Sequence, residues 1–259
     1  MIFRYEVAIP SYHRAETLAR KTLSYLARAR VDPGRITIFV ADEPQSATYK
    51  DTLFAGTYGR VVVAVPGIRA VRNFIHHYYP PGTPVLGIDD DINSVVRAVD
   101  RKHMVEVAPL DPLVADGFHY CQKAGARLWG INPVANPYFM RPQVSTDLRY
   151  IVACCYGWIS NQDSALDVTL DDKEDYERSI KYFAADGAVV RLNHVAPKTR
   201  YYVEPGGMQI ERTPQRIRWS AQELVRRYPQ YCAMNTAKKS AYAEVRLFRQ
   251  PKMELAASG

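Results

Sequence analysis

Three aspartates in succession, Asp89-Asp90-Asp91, follow the apolar run Val85 to Ile88. On an extended segment, residues i and i+2 point the same way, so Asp89 and Asp91 face one ligand. Adjacent carboxylates repel unless a cation lies between them. Mg2+ and Mn2+ prefer oxygen, and commonly take one or two carboxylates plus substrate phosphates. The spacing therefore points to a metal site on Asp89 and Asp91, with His194 as a further candidate ligand. A second cluster, Gly67 with Arg72 and Asn73, opens a helix whose free amides can face an anion. Arg72 suits phosphate or ribose oxygens, and Asn73 suits a base or ribose. A third, Asp171-Asp172-Lys173-Glu174-Asp175-Tyr176-Glu177, offers a general base for an acceptor hydroxyl. Asp175 is the first choice, with Glu174 and Asp172 as alternatives. Each cluster also has a plainer reading: a solvated strand end, a helix start with a surface arginine, and acidic capping of a helix.

The elements that must position these residues alternate. Tyr5 to Ile9, Ile36 to Ala41, Val61 to Val65 and Val85 to Ile88 read as strands; Glu16 to Ala29 and Ile68 to Tyr79 have helical spacing. Strands separated by helices imply a parallel sheet with right-handed crossovers. Ligands of such sheets bind at the carboxyl ends of the strands. Polar or glycine residues stand at those ends: Ser11 to Arg14, Asp42-Glu43, Gly67 and Asp89 to Asp91. Further on, Trp129 to Pro133 and Asn136 to Tyr138 read as loops, and Tyr150 to Ile159 as a strand broken by Gly157. Asp175 to Ala185 reads as a helix, and Ser220 to Arg227 as a helix capped by Ser220.

The chain has 259 residues and a net charge of +7. No apolar run approaches the roughly 20 residues that span a bilayer. Met1 to Glu6 lacks a basic segment leading into an apolar one, so a cytoplasmic protein is expected. The four cysteines show no zinc spacing and are expected to be reduced core thiols. Charge is uneven: Lys198 to Lys252 holds twelve Lys/Arg against four Glu, a segment able to attract polyanions.

The motifs in order, Ile9-Pro10-Ser11-Tyr12-His13-Arg14, Phe39 to Glu43, Val65-Pro66-Gly67 with Arg72-Asn73, and Ile88 to Ile92, resemble those of the GT-A glycosyltransferases. More narrowly, Trp129 to Pro133, Asn136 and Tyr150 to Val152 with Tyr156-Gly157 resemble the TET-associated DNA glycosyltransferases of phages, relatives of the base J glucosyltransferase. The resemblance covers about residues 5 to 210. It implies a mostly parallel central sheet flanked by helices in a domain over 1–210, with a basic extension over 211–259 packed on it. It implies a UDP-sugar donor, Mn2+ or Mg2+ at the aspartates, and donor contacts at Pro10, Tyr12, Arg14, Glu43, Gly67, Arg72, Asn73, Asp89 and Asp90. Glu174-Asp175 resembles the acidic pair that holds the base in many inverting members. The narrower likeness implies DNA containing 5-hydroxymethylcytosine as acceptor, with Trp129, Asn132, Asn136, Tyr156, Trp158, Lys238 and Lys239 as candidate contacts.

Other classes fit less well. A GT-A enzyme acting on polysaccharide or protein needs no basic tail. A nucleotidyltransferase would usually carry a glycine-rich loop after the first strand, and Pro10 to Arg14 has no glycine. A non-catalytic nucleic-acid binder leaves the three aspartates unexplained.

Overall fold

The computed structural model describes residues 3–199, 213–237 and 242–249. Lys238, Lys239 and most of the Lys198 to Gly207 stretch lie outside them. The chain opens with β1 (Glu6–Pro10), then α1 (Ala15–Leu18), a π-helical turn (Ala19–Leu23) and α2 (Ser24–Arg28). Next come β2 (Ile36–Val40), α3 (Glu43–Thr52), β3 (Arg60–Val63), α4 (Ile68–Tyr78) and β4 (Pro84–Ile88). The middle adds β5 (Ser94–Ala98), β6 (Met104–Glu106), α5 (Asp111–Ala124), β7 (Leu128–Ile131), β8 (Val144–Ser145) and β9 (Cys155–Ile159). The last part holds α6 (Glu174–Asp186), β10 (Val190–Leu192), β11 (Val195–Lys198), α7 (Pro214–Arg227), β12 (Cys232–Met234) and β13 (Val245–Leu247).

Eight strands form one sheet in the order β3-β2-β1-β4-β9-β7-β10-β8. β1 to β4 pair in parallel, β9 runs against both β4 and β7, β10 is parallel to β7, and β8 is reversed at the edge. The mostly parallel sheet expected from the alternation is present. Its two faces follow the period of two. Val7, Ile9, Ile38, Val40, Leu86 and Ile88 pack with Leu18, Leu26, Leu113 and Phe118; Ala8, Phe39 and Val85 face Val71, Ile75 and Tyr182. Burial of both faces is why these strands read as continuous apolar runs.

Three expectations are corrected. Trp129 to Ile131 belong to β7 rather than a loop, and Trp129 is fully buried. Gly157 does not break its strand: it pairs with Leu86 and Trp129. A Cβ there would lie 2.1 Å from Trp129 Nε1, so the glycine makes room for the indole. Only Cys155–Ile159 is strand; residues 150–154 run beneath the end of β4, where Asp89 N donates to Cys154 O. Finally, α7 begins at Pro214, capped by Thr213, whose side chain accepts from Arg216 N. Ser220 is buried inside it. Ala221 and Leu224 of α7 pack with Cys232 and Val245 on Leu148, Leu170 and Ile180. All four cysteines are free and buried.

Candidate active site

Because β1 to β4 run in parallel, their carboxyl ends meet along one edge. A cleft of about 280 Å³ opens there, lined by Pro10 to Tyr12, Phe39 to Ala41, Val65 to Gly67, Arg72, the three aspartates and, on the far side, Tyr150, Glu174 and Asp175. The end of β1 supplies Ser11 and Arg14, and the turn after β4 supplies the acids. Gly67 adopts φ 90°, a backbone region that L side chains rarely enter; nothing crowds a Cβ there, so conformation rather than space selects glycine. It sends the chain into α4 with the free amides of the helix start beside the cleft.

The turn does not keep the alternation of a strand, and each aspartate finds its own partner. Asp89 Oδ1 lies 2.5 Å from Arg72 Nη2. Asp90 Oδ2 accepts from Ser11 Oγ at 2.6 Å, and its Oδ1 lies 3.2 Å from Arg14 Nη1. Asp91 accepts from Thr199 Oγ1 at 3.2 Å and lies 3.5 Å from the same Arg14 nitrogen. Burial raises Asp90 to about 7; Arg14 and Ser11 oppose the rise, and the neighbouring Asp91 and Asp89 add to it. Burial and then Asp89 raise Asp91 as well.

This donor set is all oxygen, as a hard divalent cation requires. Each aspartate has a partner, but Asp90 is 5% exposed whereas Asp89 and Asp91 are partly exposed at the cleft. Among the described residues, no group of three or more His, Cys, Asp or Glu is placed to hold a metal. A cation at Asp89 and Asp91 would complete its shell with substrate phosphates and water, and would compete with Arg72 for Asp89.

On the far wall the tertiary structure sorts the acidic run. Asp171 pairs with Arg69 at 3.1 Å and Asp172 with Arg216 of α7 at 2.8 Å. Glu177 accepts from Thr169 N, Thr169 Oγ1 and Leu170 N. Glu174 and Asp175 remain at the cleft. Lys173 takes a left-handed conformation, φ 67°, just before α6. The Asp175 carboxylate accepts from the phenol of Tyr150, whose ring stacks on Tyr176 with centroids 4.1 Å apart.

Two solved structures share this architecture. TarS 1-349 of S. aureus matches with a TM-score of 0.51 at 12% identity, over 86% of this chain and 66% of that one. A mycobacterial protein matches with a TM-score of 0.50 at 10% identity, over 96% and 84%. The chain has the GT-A fold. It spans just under two thirds of the TarS chain. No family model and no curated protein matches the sequence.

Within this GT-A fold, ten of the residues singled out from sequence line one cleft: Pro10, Tyr12, Arg14, Gly67, Arg72, Asp89, Asp90, Asp91, Glu174 and Asp175. Tyr12 is 44% exposed, free to stack on a planar ligand. The other described candidates lie elsewhere. Glu43 is exposed on the first turn of α3, outside the cleft lining. Asn73 spends its amide on the backbone of Val168, one bond each way at 2.9 Å, so it clamps a loop instead of holding a base. His194 sits in the turn between β10 and β11. Burial and then Arg97 lower its pKa, against Asp116, and it is not part of the cleft; the metal role has no geometric support. Trp129, Tyr156 and Trp158 are at most 1% exposed; paired strands close over them, and none can stack on a DNA base. Asn132 and Asn136 shape a loop: Asn132 Nδ2 donates to Val134 O, and Asn136 Oδ1 accepts from Tyr138 N. Sequence reasoning missed Tyr150 and Thr199 as site residues. Tyr150 lines the cleft itself and holds Asp175, whereas Thr199 reaches it through Asp91; the partners lie 25 and 108 residues away, beyond any local pattern.

Proposed function

We propose that the protein is a glycosyltransferase that moves a sugar from a UDP-sugar to the hydroxymethyl group of 5-hydroxymethylcytosine in DNA, with inversion. The observation that carries the first half is the facing of Asp89 and Asp91 by Glu174 and Asp175 across one cleft, with Arg72 and the start of α4 beside them. The donor diphosphate lies against the amides of α4 and Arg72, and Tyr12 stacks on the base. A divalent cation on Asp89 and Asp91 would act as a Lewis acid toward the departing diphosphate. Asp175 takes the proton of the acceptor hydroxyl, whose oxygen bonds to the anomeric carbon as the carbon–oxygen bond to UDP breaks. Tyr150 holds that carboxylate in place. The DNA acceptor rests on the sequence resemblance and on the basic residues beyond Lys198.

The test is a glycosylation assay with Mn2+, a panel of UDP-sugars and duplex DNA carrying 5-hydroxymethylcytosine, read as nucleoside masses after digestion. A hexose or N-acetylhexosamine shift, lost with EDTA and with Asp91→Asn, supports donor, acceptor and metal together. Metal-dependent hydrolysis of UDP-sugar without any DNA product moves the acceptor to a polysaccharide or protein. No turnover of any donor overturns the reading.

A further inference from the structure

Arg14 stands between the end of β1 and the acidic turn, and its backbone and side chain are held in different ways. The backbone is anchored. Arg14 N donates to the Tyr49 hydroxyl at 3.0 Å, and the Arg14 carbonyl accepts from Leu18 N at 2.8 Å where α1 begins. Tyr49 is buried, and its hydroxyl lies 2.6 Å from Ser11 Oγ. The Arg14 side chain lines the cleft. Its Nη1 reaches two carboxylates at once, Asp90 Oδ1 at 3.2 Å and Asp91 Oδ2 at 3.5 Å. Both contacts are longer than the roughly 2.7–2.9 Å of a strong charge-assisted hydrogen bond. Arg72, by contrast, makes a 2.5 Å contact to Asp89 from a side chain that is 3% exposed.

Neither acid depends on Arg14 alone. Asp90 also accepts from Ser11 Oγ at 2.6 Å, and Asp91 from Thr199 Oγ1 at 3.2 Å. The guanidinium can therefore leave Asp91 without stranding the carboxylate, by rotation about side-chain bonds from a fixed backbone. Asp91 is also one of the two carboxylates proposed for the divalent cation. A guanidinium and a metal ion that share one carboxylate repel each other. A nucleoside diphosphate in the cleft offers the guanidinium paired anionic oxygens in exchange.

We propose that Arg14 is the internal counter-cation of the acidic turn, yielding Asp91 to the divalent cation and turning to the donor diphosphate. This rests on the reading of Asp89 and Asp91 as the metal carboxylates, and it makes cation and donor bind cooperatively through one side chain. Without the diphosphate, Arg14 opposes the cation; with it, Arg14 is drawn off Asp91.

The test is Mn2+ binding to the full chain, read from the loss of the EPR signal of free Mn2+, with and without UDP and beyond the loss that UDP causes by itself. Arg14→Gln should bind Mn2+ alone about tenfold more tightly than wild type, because the competing charge is gone. UDP should tighten Mn2+ binding by a larger factor in wild type than in Arg14→Gln. Arg14→Lys keeps the charge and should stay near wild type for Mn2+ alone, which a merely structural role would not predict. A second measurement leaves the charge in place. In wild type carrying isotope-labelled arginine, the Arg14 Nε–H resonance, assigned from its loss in Arg14→Lys, should shift when Mg2+ and UDP are added together. Mn2+ affinity in Arg14→Gln no higher than in wild type, or an Arg14 resonance that stays in place, overturns the handover and leaves the metal reading intact. A wild type that binds no Mn2+ even with UDP overturns the metal reading and the handover with it.

Discussion

Arg72 Nη2 sits 2.5 Å from Asp89 Oδ1, with the arginine side chain 3% exposed and the aspartate 30%. The pair ties the helix that opens at Gly67 to the acidic turn at the end of the strand that follows it. Arg72→Met leaves the carboxylate without its partner, and Asp89→Asn leaves a buried guanidinium uncompensated. Each single change should cost about 2–4 kcal/mol, the lower end fitting the part-exposed carboxylate. The double variant should cost less than the sum by about 1–3 kcal/mol. Urea unfolding of all four proteins measures the coupling; strict additivity would refute it.

Tyr150 positions Asp175, and its removal should separate rate from binding. Tyr150→Phe keeps the ring on Tyr176 and deletes only the donated proton. The expected result is a fall in kcat of about tenfold, well short of the roughly 100-fold or more for Asp175→Asn, with an unchanged KM for the UDP-sugar. Steady-state kinetics decide it. A change in donor KM alone would place Tyr150 in donor binding instead.

Gly157→Ala tests the packing of the sheet. The added methyl meets Trp129 Nε1 at 2.1 Å, and Gly117 also approaches the indole closely, where a Cβ would lie 2.4 Å from Trp129 Cδ2. The indole is fully buried and tightly packed, so a loss of about 1–3 kcal/mol is expected. Thermal melting reads it; an unchanged midpoint would show that the sheet gives way.

His76 makes the fold acid-sensitive. Its ring stacks on Trp158 at 4.4 Å and lies 3.2 Å from the hydroxyls of Tyr156 and Tyr182. Burial, then Arg178, Arg72 and His77, hold its pKa well below 6.5. The folded state therefore refuses a proton that the unfolded chain accepts, and stability falls as pH drops below about 6.5. In His76→Gln that slope should shrink by up to about 1.4 kcal/mol per pH unit. Denaturation at a series of pH values between neutrality and mild acid checks it, and an unaltered slope would count against His76 as the source.

The sequence alone determined the alternating strands and helices, the parallel sheet and the edge where the ligand site lies. These follow from local periodicity: a strand buried on both faces has to be apolar throughout, and glycine or polar residues stand where such strands end. Eight of the ten proposed site residues in the cleft gathered at that edge for the same reason, while Glu174 and Asp175 reach it from the start of α6. Only the tertiary structure decided which side chains were free to act there. Trp129 reads as a loop aromatic until its strand is paired on both sides; Asn73 reads as a ligand until Val168 takes both ends of its amide. Asp172 reads as an alternative to Asp175 until Arg216, about forty residues on, pairs with it. A carboxylate or an aromatic ring has the same composition whether it is spent on a neighbour or open to substrate. That neighbour is set by which distant segments meet, which no local pattern records.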